Sequence, residues 1–145
     1  LREDERLLDS IVMAAIKVKA DIVDRDERES GERRKLNLGH TFAHAIEKCS
    51  SEMNHGEAVA VGTVMISRMA VKLGLLQAEK ADRIERAMER LGFRTSAPVE
   101  TKKLLKAIAK DKKSVADSIY LVLPTDIGHC EVRKMHIDEI AACTE

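Results

Sequence analysis

Aromatic residues are nearly missing from this chain: of its 145 residues none is Trp, one is Tyr and two are Phe. A core without large rings has to be built from Leu, Ile, Val, Met and Ala, the composition of helices packed on helices. Net charge is missing too, with 25 Lys plus Arg balanced by 25 Asp plus Glu. No overall field gathers nucleic acid or an anionic membrane, so neither is an expected partner and any anion must be held by a local arrangement. Long apolar runs are also lacking. The longest, residues 58–66, is interrupted by Gly62 and Thr63, well short of the roughly 20 residues that cross a bilayer, and no signal-peptide pattern is visible. Three cysteines, Cys49, Cys130 and Cys143, have neither an even count nor CxxC spacing. Reduced packing thiols in a cytoplasmic protein are expected rather than a disulfide framework.

What the chain does have is a group of histidines, His40, His44 and His55, in the run LNLGHTFAHAIEKCSSEMNHGEAVAVG. His40 and His44 are four apart, so on a helix they lie one above the other on one face. Zinc takes neutral imidazole nitrogens arriving from independent directions, which two helical turns and a returning segment supply. Against this, a single His on an apolar face is more often a hydrogen-bonded structural residue, and His pairs at this spacing occur without metal. Spacing alone leaves both readings open.

Around that run the apolar period predicts a mainly α-helical single domain over residues 1–145. Leu8, Ile11, Val12, Ala15, Ile16, Ile22 and Val23 recur at helical spacing with Lys19 set among them. Lys19 is therefore expected to point inward, either laying its stem on the core while the ammonium reaches water or binding an anion at a cleft edge. Residues 24–35 read as a charged connector containing Gly31, with exposed ion pairs of little individual worth. Arg33, seven before His40, can grip a carboxylate or phosphate bidentately, although composition does not separate it from its neighbours Arg34 and Lys35. A second helix is predicted over 36–49. Asn54 reads as the N-cap region of a third that runs to about 73 and ends at Gly74. Glu57 is a candidate to orient an imidazole ligand or a carboxylate favoured by the helix N-terminus. A fourth helix over 78–91 turns Ala81, Ile84, Ala87, Met88 and Leu91 to one side and stops at Gly92. After a linker at 95–99, a fifth helix over 100–110 buries Leu104, Leu105 and Ile108, and the same phase puts Lys112 on the inward side. Lys112 and Lys113 are equally suited to partner a helix C-terminus. A small β-hairpin is predicted near 118–133, with its first strand bounded by Pro124, and a short helix over 137–143 ends the chain.

Several of these segments together carry a resemblance. DERESGERRKLNLGHTFAHAIE, then HGEAVAVG, then a DKK beginning at Asp111, then LVLPTDIG resemble the C-terminal half of the 3-dehydroquinate synthases, from about Ile11 to the end. HGEAVAVG alone is shared with related sugar-phosphate cyclases; the ordered set is more specific. The resemblance implies an NAD- and zinc-dependent lyase of the shikimate pathway, with cobalt as another possible divalent metal. The implied reaction converts 3-deoxy-arabino-heptulosonate 7-phosphate to 3-dehydroquinate plus phosphate. It implies zinc on His40 and His55, His44 in substrate contact and proton transfer, and Lys19, Arg33, Asn37 and the DKK lysine, taken as Lys112 on helical phase, binding the anionic substrate. The family's third metal ligand is a glutamate of an N-terminal half. Because the chain starts at Leu1 and has no glycine-rich turn after a strand, that NAD-binding α/β domain is expected to be absent, leaving these residues with weak metal binding and no turnover. A homodimer is implied as well. The rival expectations are a cyclase making an aminocyclitol precursor, a metal-dependent polyol dehydrogenase, and a non-catalytic helical interaction module.

Overall fold

A computed structural model describes residues 5–26, 31–112 and 118–144, with the side chains of Asp111 and Lys112 outside the description. The chain divides into two compact units, Leu1–Leu36 and Asn37–Glu145. In the first, helix α1 (Glu5–Arg25) opens with Glu5 and closes with Arg25, charges that suit the two ends of a helix dipole. Its apolar stripe is present but exposed. Leu8 is 52% and Ile16 54% accessible, and no α1 residue is buried. The expectation that Lys19 points into a core is therefore corrected: Lys19 is exposed, because within its unit one helix has no second apolar layer to pack upon.

A short 3-10 helix, Glu32–Asn37, leads toward the second unit. There α2 (His40–Cys49), α3 (His55–Lys72), α4 (Ala78–Arg90), α5 (Thr101–Lys112), β1 (Ser118–Asp126), β2 (His129–His136) and α6 (Ile137–Thr144) follow in order. Helix α2 starts later than predicted because Gly39, at φ 77°, adopts a left-handed conformation that interrupts the helical path. Helix α3 starts where expected: the Asn54 side chain accepts from the Glu57 N–H and the Glu57 carboxylate accepts from the Asn54 N–H, a reciprocal capping box. It ends at Lys72, with Leu73 as its C-cap and Gly74 just beyond, left-handed at φ 70°.

The mainly α class holds, with one antiparallel hairpin. Its register runs from Ser118 opposite His136 to Pro124 opposite Cys130, with an irregularity between Pro124 and Asp126. Pro124 thus lies inside β1 rather than bounding it. A two-stranded ribbon leaves one edge of each strand open, where a residue without an N–H is tolerated.

Helix α3 is the centre of the second unit, packing against α2, α4, β1 and α6, while α5 packs on α2. The core joins Phe42 and Ile46 of α2, Val61, Ile66 and Met69 of α3, Leu104 and Ile108 of α5, Leu121 and Leu123 of β1, and Ile140 of α6. These are aliphatic residues apart from one ring. Helix α4 buries only Ala81, and Leu91 of its expected inward stripe is 41% exposed. Ile84 packs against the core beside Ala81, and outside them Arg68 of α3 bridges Asp82 and Glu85 while Lys80 pairs with Asp126 of β1 at 2.6 Å. That lysine and the Ile127 N–H hold the Asp126 carboxyl below its ordinary range. Among the described residues no helix is long and apolar enough to cross a membrane.

Candidate metal centre

The sequence HTFAHAIE divides α2 into two faces. Phe42, Ala43, Ala45 and Ile46 are buried, and His40, His44 and Glu47, spaced four and three apart, lie on the other side. Helix α3 brings His55 to the same place as its first residue. The ring centroids of His40 and His55 are 5.3 Å apart, His40 and His44 5.7 Å, and His44 and His55 6.2 Å.

Two glycines hold this arrangement. A Cβ on Gly62 of α3 would stand 2.2 Å from the carbonyl oxygen of Gly39, and one on Gly39 would stand 2.8 Å from the backbone nitrogen of Thr63. The entry to α2 thus lies backbone to backbone on α3, which fixes His40 relative to the helix that carries His55. The Gly39 carbonyl still accepts the Ala43 N–H of its own helix at 3.0 Å.

The partners of the imidazoles decide their tautomers. Nδ1 of His40 lies 3.1 Å from the Leu38 carbonyl oxygen, and Nδ1 of His55 lies 3.0 Å from Oε1 of Glu47. A carbonyl and a carboxylate only accept, so each Nδ1 carries the proton and donates it. In the neutral ring that leaves Nε2 with an in-plane lone pair, the form in which histidine binds metals. His44 is exposed, and its ring lies beside the other two.

The chemistry of this donor set fits a divalent ion such as zinc, for which anchored imidazoles are ordinary ligands. It does not complete one: among the described residues no group of three or more His, Cys, Asp or Glu is placed to hold a metal. A catalytic zinc usually has three protein ligands, so at least one more would have to come from elsewhere.

The remaining sequence-predicted residues fall in different places. Asn37 is exposed at the end of the 3-10 helix, three residues before His40. Lys112 is the last residue of α5, which packs on α2, and its side chain and all of Lys113 lie outside the described residues. Lys19 and Arg33 belong to the first unit. In that unit the buried Asp26 carboxylate accepts the main-chain N–H groups of Gly31 at 2.8 Å and Arg33 at 3.1 Å, fixing the backbone from which Arg33 projects.

Sequence reasoning missed Asp26 and Glu47. An acidic residue shortly before a glycine turn was the available signal for Asp26. For Glu47 it was the spacing of seven from His40, which returns to the same helical face. Glu57, the carboxylate considered for orienting an imidazole, is engaged in the α3 cap instead.

A helical domain that gathers three imidazoles beside a glycine-to-glycine helix crossing can be compared with known proteins. The family model described as "3-dehydroquinate synthase C-terminal" matches residues 1–114, and the chain belongs to that family. It is 41% identical over 126 residues to the 3-dehydroquinate synthase of Nostoc punctiforme, covering 84% of this chain and 35% of that protein. With the enzyme of Shewanella loihica it shares 42% over 136 residues, covering 89% and 37%. The chain thus spans little more than a third of the length of these relatives. Among solved structures it is similar to a 2-epi-5-epi-valiolone synthase from Streptomyces hygroscopicus with NAD+ and Zn2+ bound, at TM-score 0.77 and 26% identity, covering 92% of this chain and 38% of the other. A 2-deoxy-scyllo-inosose synthase complexed with carbaglucose-6-phosphate, NAD+ and Co2+ shares the fold at TM-score 0.79 and 18% identity, covering 96% and 42%.

Proposed function

We propose that this chain is the metal- and substrate-binding part of a full-length 3-dehydroquinate synthase, in which an NAD-binding α/β domain completes the site. On this reading the whole protein is a cytoplasmic lyase, a homodimer like its family, that converts 3-deoxy-arabino-heptulosonate 7-phosphate to 3-dehydroquinate and phosphate. The observation that carries it is the pair of imidazoles anchored through Nδ1, His40 on a carbonyl and His55 on a carboxylate, beside a third, His44, with neither kind of anchor among the described residues. Two rings are set up as ligands and one as a proton carrier.

His40 and His55 would hold the divalent ion, which when bound polarises substrate oxygens and acidifies the hydroxyl to be oxidised. NAD would supply the transient oxidation that makes the neighbouring C–H acidic. His44, one helical turn from His40, stands where its imidazole can take up or deliver a proton beside the ligand pair. Asn37 offers an amide to a substrate oxygen, and Arg33, Lys19 and Lys112 offer positive charge to carboxylate and phosphate. Identity near 40% to 3-dehydroquinate synthases, against 26% and 18% to the two cyclases, supports this reaction over an aminocyclitol-precursor cyclase.

The test is phosphate release by the full-length protein from the heptulosonate phosphate, with NAD and zinc omitted in turn. Release that requires both is the expected result. Release only from another sugar phosphate would move the protein to the aminocyclitol branch, and none from any sugar phosphate would refute the cyclase reading.

A further inference from the structure

The Glu47 carboxylate faces His55 across a 3.0 Å hydrogen bond and, among the described residues, pairs with no other side chain. The pair joins the last turns of α2 to the first residue of α3, across the break that separates the two helices. Glu47 is about one-third and His55 over one-half exposed, so an ion pair there would contribute little to stability. Its geometry nevertheless has a directional consequence. An acceptor-only carboxylate on Nδ1 holds the proton on that nitrogen, fixes the ring about its Cβ–Cγ bond and leaves the Nε2 lone pair of the neutral ring for a cation. The nearby alternative carboxylate, Glu57, is occupied by the Asn54 cap. A negative charge on the far side of the ring also makes Nε2 a stronger electron donor.

From this geometry we infer that Glu47 is the positioning residue for His55, setting its tautomer and orientation so that the imidazole binds a divalent cation through Nε2. The inference rests on the assignment of His55 as a metal ligand. His40 needs no side-chain counterpart because the Leu38 carbonyl performs the same task. The two ligands thus differ: one is oriented by backbone that cannot be substituted away, the other by a single side chain.

The experiment is a zinc titration of the metal-stripped full-length protein against a competing chelator. It compares wild type with Glu47→Ala, Glu47→Gln, His55→Ala and the double variant His55→Ala/Glu47→Ala, with thermal unfolding recorded for each. Glu47→Ala is expected to weaken zinc binding about 10- to 100-fold, the usual effect of removing a carboxylate that orients a ligand histidine. Glu47→Gln should lose less, because its amide oxygen still accepts from Nδ1 without the charge. In the His55→Ala background Glu47→Ala should cause no further weakening, since a residue acting through His55 has nothing left to position. Unchanged affinity in Glu47→Ala, or equal losses with and without His55, would overturn the role of Glu47 alone. Were Glu47→Ala to misfold, Glu47→Gln would decide: a partial loss of zinc affinity at an unchanged unfolding temperature would support the role, and wild-type affinity would refute it. Zinc binding indifferent to His55→Ala would instead remove the metal-ligand reading beneath it.

Discussion

In the full-length protein, His40→Ala and His55→Ala should each abolish bound zinc and turnover together, whereas His44→Ala should keep its zinc and lose about 10²- to 10⁴-fold in kcat, the range of a positioned acid or base. The contrast follows from the anchors. His40 and His55 hold their Nδ1 atoms against the Leu38 carbonyl and the Glu47 carboxylate, so on the proposed assignment truncating either removes a metal donor. His44 is an exposed ring beside them, 5.7 Å and 6.2 Å from the other two centroids. Its loss leaves the ligand pair in place. Metal content by atomic emission alongside steady-state kinetics separates the roles, and loss of zinc from His44→Ala would reverse them.

The second large effect is expected from one methyl group. Gly62→Ala lies in the middle of α3, where alanine propensity favours the substitution by about 1 kcal/mol. Its Cβ, however, would stand 2.2 Å from the Gly39 carbonyl oxygen and 3.1 Å from the Ala43 nitrogen. These are backbone atoms at the start of α2, with no flexible side-chain end to swing aside. Overpacking in cores costs about 1–3 kcal/mol, and a contact this close belongs at the upper end or beyond, so the clash outweighs the propensity. Relief requires α2 to lift from α3, which takes His40 away from His55. Gly62→Ala is therefore expected to lower the unfolding temperature by several degrees and weaken zinc binding in the same variant. A more stable Gly62→Ala protein with wild-type affinity would show that the glycine crossing does not position the site.

Much of this architecture was legible in the sequence because it rests on periodic burial. The stripe Leu104/Ile108 marks a helix whose inner face is buried, and Asn54 before His55 marks the start of α3. Boundaries set by special backbone geometry were less visible. Gly39 reads as one more residue in a helical run until its contact with Gly62 shows why it must turn left-handed there. Pro124 reads as a stop, yet the open edge of a two-stranded hairpin accommodates it. An amphipathic pattern states that a face is apolar and not what lies against it, which is why the pattern points Lys19 inward on a helix that has no buried residue.

The candidate site divides similarly. The three histidines were found because their type and spacing are unusual. Glu47 was passed over because a charged residue on an exposed helical face is ordinarily solvated, and only the folded position of His55 gives it a partner. For Glu57 both roles were open, and local capping is the one the structure realises. Helix caps depend on neighbours in sequence and can be read early, whereas imidazole anchors depend on how two helices cross.

The most direct measurement is a crystal structure of the zinc-loaded full-length protein with anomalous data collected at the zinc edge. The expected result is an anomalous peak about 2.0–2.1 Å from Nε2 of both His40 and His55, with Nδ1 of His55 still on Glu47 and His44 outside coordination distance. A peak bound to His44, or reached through Nδ1 of either ligand, or lying away from this cluster, would contradict the assignment.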